Sequence, residues 1–406
     1  MSITINKMNN VSKNKDGTDG KNRILFEGAA TRFSLNWAGD DQAFLVVSLR
    51  SSADAAQAAK DSYALIAETL KEYCLEIVHE RIFGSLSVEP FVMAARCSAL
   101  RSYGVVPDNP VTYLQGDPPW GEGFAGAIIH AVAPISADDV WTIQDNGVPC
   151  GRAWRKNTAT YLMLQNIQAQ SGSMTTQVRS MLDRTERILG EHGASYRDVA
   201  RTWFYLSDIL DWYASFNKVR NEKYGEFGIM PGPGDRDILL PASTGIRAYL
   251  PSGAAAAMDL LALVPEAGRP SVRRLTNTAQ LDAFRYGAAF SRGAVIKEDD
   301  LRIIQISGTA AIDEHGISLY PGDIRSQIKC TFDRIQTLLD QEGAELRDIA
   351  AATVYVKRAE YADIFREIAV ERGLADFPAV CVVADVCREE LLFEIDAEAV
   401  VGKGSI

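Results

Sequence analysis

Two ten-residue stretches decide the fold: Glu191–Ala200 reads EHGASYRDVA and Gln341–Ala350 reads QEGAELRDIA. Both contain Gly-Ala, two further residues, Arg-Asp, one further residue and Ala. The residues before each stretch predict an amphipathic helix, because apolar residues recur every three or four positions. The residues after each stretch predict a strand, since Thr202–Leu206 and Thr353–Val356 are rich in aromatic and β-branched residues. The chain therefore contains an internal repeat.

The similarity extends outward from these stretches. A second helix is predicted after each strand, near Trp212–Tyr224 and Tyr361–Glu371, followed by Pro-Ala and two more strands. A weaker third copy precedes both, with a helix near residues 53–73. The shared order β-β-α-β-α-β-β predicts an α+β fold. We place a disordered tail at 1–23, a first, degenerate repeat at 24–135, a second repeat at 136–268 and a third at 269–406.

Each predicted repeat has two helices, enough to cover one face of its sheet. The other face needs a partner, which the neighbouring repeats can supply, so we expect the three copies to close on one another as an intramolecular pseudo-trimer. Such an assembly leaves no sheet face to bury in a larger oligomer, and we expect a monomer in solution, or a weak dimer.

Composition excludes several classes of protein. Of the 406 residues, 42 are Lys or Arg and 53 are Asp or Glu, a formal charge of −11, which argues against binding to nucleic acid. No apolar run approaches the length of a membrane span. The four His and six Cys are scattered without metal-ligand spacing, so we expect no metal site. We interpret the cysteines as free thiols of a cytoplasmic protein.

The repeat pattern resembles the reactive-intermediate deaminase (YjgF-like) superfamily, whose chorismate-mutase-like subunits form homotrimers with ligand clefts between them. The resemblance is most specific at Ile306–Ala310 (ISGTA) and Leu392–Ala397 (LFEIDA). Deaminases of that superfamily place an Arg directly after the Pro-Ala. Here those positions hold Thr112, Ser243 and Val380, which disfavours imine deamination.

A closer resemblance is to the chorismatases, which split chorismate with loss of pyruvate and without cofactor. It is carried by Arg285–Gly293 (RYGAAFSRG), Ser307–Ala310 (SGTA), Leu240–Ile246 (LPASTGI) and the pair Cys387 and Glu394. Some members hydrolyse chorismate to a dihydroxycyclohexadiene carboxylate, and others form 3-hydroxybenzoate. Members with Cys and Gly at the positions of Cys387 and Gly293 resemble the 3-hydroxybenzoate-forming branch. In that branch the 4-hydroxyl of the substrate displaces the enolpyruvyl group, and the arene oxide opens to the 3-phenol.

Glu394 is the predicted catalytic acid. The enol ether of chorismate is activated by protonation of its methylene carbon, which requires a carboxylic acid that stays protonated near neutral pH. Strand alternation places Leu392, Glu394 and Asp396 on one face of an apolar strand. We align Glu394 with Ile128 and Asp259, using Ala131, Ala262 and Ala397 as the register. Only the third copy has Glu there, so we expect one principal cleft.

Cys387 is the second catalytic candidate, as a wall of the cleft that directs the fate of the ring. Inert core packing is the competing interpretation, since free Cys is usually buried. We predict a hairpin turn at Arg388–Glu390 that brings Cys387 and Glu394 together.

The two substrate carboxylates call for Arg in fork geometry, assisted by Tyr hydroxyls. The candidates for substrate binding are Arg292, Arg220, Tyr205, Arg155 and Tyr161. Gly293 is either a turn glycine with positive φ or a residue whose missing side chain leaves room for the ring.

Three functions remain open on the sequence. The first is chorismate cleavage to 3-hydroxybenzoate and pyruvate, with Glu394 as the proton donor. The second is hydrolysis of chorismate to the dihydrodiol, and the third is a non-catalytic pseudo-trimer that binds ligands.

Overall fold

The computed structural model describes residues 11–14, 23–28, 30–51, 54–156, 159–232, 238–265, 272–298 and 301–402. In this part of the chain no helix is long and apolar enough to cross a membrane.

The first repeat forms a seven-stranded sheet in the order β1-β2-β3-β4-β7-β5-β6. Its elements are β1 (Val11–Asn14), β2 (Arg23–Glu27), β3 (Thr31–Ala38), β4 (Gln42–Leu49), α1 (Ala55–Glu72), β5 (Glu76–Gly84), α2 (Glu89–Ser102), β6 (Thr112–Gln115) and β7 (Phe124–Val132).

The second repeat forms a six-stranded sheet in the order β12-β11-β13-β10-β9-β8. Its elements are β8 (Val140–Asp145), β9 (Val148–Lys156), β10 (Ala159–Gln168), α3 (Met174–Glu191), β11 (Val199–Leu206), α4 (Ile209–Glu226), β12 (Ala242–Arg247) and β13 (Ala256–Pro265).

The third repeat also has six strands, in the order β14-β15-β16-β19-β17-β18. Its elements are β14 (Val272–Leu275), β15 (Gly293–Lys297), β16 (Leu301–Thr309), α5 (Ile324–Asp340), β17 (Ile349–Val356), α6 (Tyr361–Glu371), β18 (Ala379–Val383) and β19 (Phe393–Gly402). The α+β fold with three repeats is thereby confirmed.

Within the predicted disordered tail at 1–23, the structure describes only β1 and the first residue of β2. β1 pairs antiparallel with β2, and Arg23 is the first residue of β2. Strand addition of this kind satisfies backbone groups at the sheet edge and requires few apolar side chains, so a polar composition does not prevent it. Residues 1–10 and 15–22 lie outside the described residues, as does the predicted boundary at 268/269. The repeat boundaries stay predictions.

The repeated Gly-Ala-x-x-Arg-Asp motif is a turn from helix to strand. Gly193 and Gly343 have φ of +73° and +62°, in the left-handed region that favours glycine. The carboxylates of Asp198 and Asp348 then accept hydrogen bonds from backbone N–H groups three residues earlier, at 2.8 and 2.7 Å. In the first repeat Cys74 takes the glycine's place with φ of 52°, which explains why that copy is hard to recognise.

The helix stripes cover the outer face of each sheet, as predicted. Val178, Met181 and Leu182 of α3 and Ile328, Phe332 and Ile335 of α5 are all buried. Each of α1, α3 and α5 begins after a side chain that accepts from the backbone of its first turn. Such caps satisfy N–H groups that the helix leaves free.

The inner faces of the three sheets meet around a common centre. One hydrophobic cluster contains Val46 of the first sheet, Trp154 of the second and Ile303 of the third. Buried charges lie beside it, where Arg81 of the first repeat is 3.5 Å from Asp396 of the third. The repeats therefore supply each other's missing partner faces. The monomeric state stays a prediction that light scattering would test.

Candidate active site

A cavity of about 750 Å³ opens between the second and third repeats. The second repeat contributes α4 and β12 to its walls. The third contributes residues of the segment 286–292, the end of β16, the loop residues Cys387 and Arg388, and the start of β19.

Three hydrogen bonds join the second repeat to the third beside the cavity. Ser291 N donates to Pro241 O at 2.9 Å, and Ser243 N donates to Ser307 Oγ at 2.8 Å. Gly308 N donates to Thr244 Oγ1 at 3.1 Å. The motifs LPASTGI, FSRG and SGTA, which are far apart in the sequence, thus form one continuous surface.

Glu394 points into the cavity from β19, on the face opposite Phe393 and Ile395, and its residue is 5% exposed. Its carboxyl group lies directly over Gly308, where any Cβ would overlap it, so the glycine of SGTA makes room for the acid. In the described part of the chain nothing hydrogen-bonds to this carboxyl group.

Burial raises the pKa of Glu394 to about 8, and the nearby carboxylate of Asp396 adds to the rise. The guanidinium groups of Arg292 and Arg201 oppose this shift but do not cancel it. The group is therefore mostly protonated near neutral pH, as a carboxylic acid that donates a proton must be.

The register used to align Glu394 with the other repeats is wrong by two residues. Directly before the bulges in β5, β11 and β17, Ile77 pairs with Ala131, Val199 with Ala262 and Ile349 with Ala399. Ala399, not Ala397, is therefore the equivalent position. The short Ala-rich pattern allowed both alignments, and a two-residue slip keeps side chains on the same face.

With the corrected register, Glu394 corresponds to Ala257 and Gly126, and Asp396 corresponds to Asp259 and Ile128. The third repeat is still the only one with Glu at this position.

Cys387 also lines the cavity, but the predicted hairpin is wrong. β18 pairs in parallel with β17, and β17 lies between β18 and β19, so residues 384–392 cross over β17 as a loop. Burial raises the pKa of the Cys387 thiol to about 12, and the nearby carboxyl of Glu394 adds to the rise. The thiol is therefore protonated, which disfavours the nucleophile role because the thiolate is the reactive form.

Arg292 and Arg220 both line the cavity, and each residue is 1% exposed. Arg292 Nε donates to Leu281 O at 3.0 Å, and its Nη2 donates to Tyr286 Oη at 3.0 Å. Arg220 Nη2 donates to Asn217 Oδ1 at 2.6 Å, while its Nε is buried without a partner. Among the described residues neither cation forms an ion pair with a carboxylate.

Three predicted binding residues lie away from the cavity. The Tyr205 hydroxyl faces the centre of the molecule and donates to Asp259 Oδ2 at 3.4 Å. Tyr161 donates to Glu298 Oε1 at 2.6 Å in a different buried cluster. Arg155 is exposed, with its guanidinium 5.7 Å from the centroid of Trp141. Strand alternation predicts on which face of the sheet a side chain lies. It does not predict whether that part of the face packs against the other sheets or lines the cavity.

Both interpretations of Gly293 are wrong. It lies in β15, and its φ is not among the positive values. A Cβ there would meet Gln305 O at 3.0 Å and Leu275 Cδ1 at 3.3 Å, rather than the cavity. The glycine permits close packing of neighbouring strands.

Several cavity residues were not predicted. Arg388 lines the wall, with its Nη1 donating to Gly316 O at 2.8 Å and to Ser318 Oγ at 3.2 Å. Tyr213 and Asn217 project from α4, and Tyr286 and Phe290 come from the segment before Arg292. Tyr286 and Phe290 lie inside the quoted RYGAAFSRG motif, which was a usable signal. The turn predicted at Arg388–Glu390 gave no indication that the Arg388 side chain lines the cavity.

The comparisons with known proteins agree with this architecture. The model of a family described as Endoribonuclease L-PSP matches residues 281–401, which fall in the third repeat. A chorismatase from Streptomyces hygroscopicus is 28% identical over 303 residues, covering 67% of this chain and 83% of the relative. A 3-hydroxybenzoate synthase from the same organism is 25% identical over 311 residues, covering 69% and 86%.

The sequence of this chain is thus similar to those of a chorismatase and a 3-hydroxybenzoate synthase over most of their length. A crystal structure of chorismatase matches its fold with a TM-score of 0.59 at 21% identity, covering 80% of this chain and 92% of that one. The two structures therefore share their fold.

Proposed function

We propose that this chain cleaves chorismate and releases pyruvate. The observation that carries the proposal is Glu394, a buried carboxylic acid kept protonated in a cavity whose arginines Arg292 and Arg220 form no ion pair with a carboxylate of the described residues. The curated relatives named chorismatase and 3-hydroxybenzoate synthase, which match over most of their length, support the choice of substrate.

The cavity suits a small, doubly charged substrate. Arg292 and Arg220 are cations without a carboxylate partner among the described residues, so they are available to pair with the two carboxylates of chorismate. Phe290, Ala310 and Ile312 give the same cavity an apolar side on which the ring can lie.

We propose that Glu394 transfers its proton to the terminal methylene carbon of the enolpyruvyl group. The positive charge that forms on the ether carbon weakens the bond between the ether oxygen and ring carbon 3. The electron pair of that bond goes to the ether oxygen, which leaves as the keto oxygen of pyruvate. The Glu394 carboxylate is then available to take a proton back.

Formation of 3-hydroxybenzoate is the product we favour. The 4-hydroxyl attacks carbon 3 and loses its proton to Glu394, and the resulting epoxide opens at carbon 4. The oxygen stays on carbon 3, whose hydrogen leaves as the ring becomes aromatic. The sum of these steps converts chorismate to 3-hydroxybenzoate and pyruvate, consumes no water and transfers no electrons to a cofactor. Cys387, a neutral thiol on the cavity wall, supports this branch as a guide for the ring rather than as a nucleophile.

The hydrolytic branch remains the second candidate, because the 28% identical relative carries the name chorismatase without a product. It consumes one water and yields the dihydrodiol. The cavity communicates with solvent through Lys218 and Glu222, so a water molecule has access.

Incubation of the purified chain with chorismate tests the proposal. Pyruvate is followed with lactate dehydrogenase and NADH, and the aromatic fraction is separated by liquid chromatography with mass detection. We expect equal amounts of pyruvate and 3-hydroxybenzoate. A dihydrodiol in place of the phenol supports the second candidate. Ligand binding without any pyruvate would leave the non-catalytic pseudo-trimer.

A further inference from the structure

Glu394 and Asp396 are neighbours on one face of β19, but only Glu394 lines the cavity. Side chains two residues apart on a strand point to the same face of the sheet and lie about 7 Å apart. Asp396 is fully buried and faces the centre of the molecule, where the three sheets meet. Two adjacent carboxyl groups therefore have different surroundings.

Asp396 has a cationic partner from each of the other two repeats. Its Oδ1 lies 3.5 Å from Arg81 Nη1 of the first repeat and 3.9 Å from Arg201 Nη2 of the second. The hydroxyl of Tyr355 donates to its Oδ2 at 2.8 Å. All four side chains are fully buried. Opposite charges and hydrogen-bond donors at these distances favour the ionised form of a carboxylate.

We propose that Asp396 is a positioning residue for the acid, in that it takes the negative charge of the pair and thereby keeps the proton on Glu394. Two like charges about 7 Å apart repel each other inside a protein, so the carboxyl group with arginine partners takes the charge and its neighbour stays neutral. The inference rests on the proposed function for the use of this proton. It also gives the first repeat a part in the site through Arg81, although none of the described residues that line the cavity comes from that repeat.

The electrostatic surroundings of Glu394 agree with this arrangement. Burial is the largest cause of its raised pKa and the Asp396 charge is the second, whereas Arg292 and Arg201 act in the opposite direction. The other charged or titratable groups that line the cavity with Glu394 are Cys387, Tyr213, Tyr286, Arg220, Arg388, Lys218 and Glu222. On its central side Asp396 also faces Tyr205 and Glu398. Asp396 and Arg201 thus act on the acid with opposite signs, and each can be removed by substitution.

The second repeat has the equivalent aspartate without an acid beside it. Asp259 corresponds to Asp396, and it accepts from Thr112 Oγ1 at 2.6 Å and lies 3.0 Å from His79 Nε2 of the first repeat. His79 corresponds to Arg201, since each directly follows the bulge in its strand. The counterpart of Glu394 is Ala257. Asp259→Asn is therefore a matched control, because it removes an equally buried carboxylate at an equivalent position outside the cavity.

Direct titration of Glu394 tests the inference without requiring turnover. The full chain is labelled with carbon-13 at the side-chain carboxyl carbon of glutamate, and its NMR spectrum is followed as the pH is changed. The Glu394 signal is the one that is missing from Glu394→Gln. The pH dependence of pyruvate release from chorismate is measured on the same variants.

Asp396→Asn keeps the shape of the side chain and removes its charge. We expect the Glu394 carboxyl group to titrate about 1–2 pH units below the parent, the size expected for unit charges about 7 Å apart at an effective dielectric constant of about 20. The decline of pyruvate release at high pH should move down by the same amount. Asp259→Asn should leave both at their parent values.

Arg201→Met should move the titration of Glu394 to higher pH, because it removes a cation that favours the ionised acid while Arg81 still pairs with Asp396. A structural defect that admits water would lower the pKa of Glu394 in both variants, since burial is what raises it. Shifts of opposite sign therefore separate an effect of charge from a loosened structure. Arg201→Met also supplies the test on its own if Asp396→Asn does not fold.

The inference is overturned if Glu394 titrates at the same pH in Asp396→Asn as in Asp259→Asn, or if Arg201→Met fails to move the titration upward. Its failure is distinguishable from failure of the proposed function. Opposite shifts of the titration in a chain that releases no pyruvate support the charge pairing and refute the reaction. Pyruvate release from chorismate with an unshifted titration in Asp396→Asn does the reverse.

Discussion

The second and third repeats place an aspartate and a tyrosine at the same buried positions, but only the third adds a glutamate. Asp259 and Tyr205 of the second repeat correspond to Asp396 and Tyr355 of the third. In both repeats the tyrosine hydroxyl donates to the aspartate, at 3.4 and 2.8 Å. The tyrosine and aspartate shared by both repeats therefore form buried hydrogen bonds where the three sheets meet. Glu394, whose counterpart is Ala257, is absent from the second repeat and lines the cavity instead.

The second and third repeats also differ at the position of Arg292, which lines the cavity with Glu394. β15 and β9 pair with the equivalent strands through Gly293 and Gly151, which makes Cys150 the counterpart of Arg292. The second repeat therefore has a cysteine where the third has the guanidinium group that lines the cavity. At these positions the second and third repeats therefore differ in a few side chains on a common backbone, and each can be changed separately.

The largest effect is expected from Glu394→Gln, which keeps the shape of the side chain and removes the acid. Pyruvate release should fall by about 10²–10⁴, the usual contribution of general acid catalysis. The coupled pyruvate assay at saturating chorismate measures this. The parent's turnover should also decline as the pH rises through about 8, because the deprotonated form of Glu394 cannot donate. The residual activity of the variant should lack this decline.

Glu298→Gln is the control for this substitution. Glu298 is also buried, and it accepts from Tyr161 and Gln42 outside the cavity. We expect it to lower stability and leave turnover close to that of the parent. If Glu394→Gln retains near-normal pyruvate release, the acid mechanism is wrong.

The second effect concerns Arg292. Arg292→Lys keeps the charge, but an ammonium cannot make the bidentate contact with a carboxylate. We expect weaker chorismate binding by about 1.5–3 kcal/mol, or about 10- to 150-fold in apparent affinity. Steady-state kinetics over a range of chorismate concentrations measure it. An unchanged KM and turnover would remove Arg292 from the site.

The fold was predictable because its signals are local and occur more than once. Gly193 and Gly343 mark the same turn, and the apolar stripes of α3 and α5 mark the same helix faces. Glu394 was also predictable, since a lone carboxylate in the apolar strand LFEI is unusual in burial and chemistry.

The remaining site residues depend on contacts between distant segments. Tyr205 and Tyr161 face inward as expected, but their strands direct them to the centre rather than to a cleft. Arg388 enters the cavity because the loop after β18 crosses β17, which no local pattern encodes. Sequence patterns predict which face of a helix or strand a side chain occupies. The position of the cavity depends instead on how the three sheets pack together.

A smaller effect is expected from Cys387→Ala. The thiol is protonated and Glu394 is untouched, so pyruvate should form at a rate within a few-fold of the parent. The partition between 3-hydroxybenzoate and the dihydrodiol should shift, because the wall beside the ring has changed. Chromatography of the products measures the ratio. An unaltered product and ratio would make Cys387 packing and remove the main support for the 3-hydroxybenzoate branch.

The smallest effect concerns the stability of the folded chain, which burial of Glu394 changes with pH independently of catalysis. The pKa of Glu394 is raised to about 8 in the folded chain, against an ordinary value of 4.5, so the folded state holds the proton more tightly than the unfolded state. The stability that this provides is fully present below pH 4.5 and is lost as the pH rises from 4.5 to about 8. Glu394→Gln does not titrate and should avoid this loss. Its melting temperature should therefore exceed that of the parent by a few degrees at pH 8, with a difference that shrinks toward pH 5. Differential scanning fluorimetry across this range measures it, and Glu298→Gln, which loses buried hydrogen bonds, should lie below the parent throughout. A pH-independent difference for Glu394→Gln would mean that its carboxyl group is solvated and ionised like an ordinary surface glutamate, and the contrast with Ala257 would then carry no chemistry.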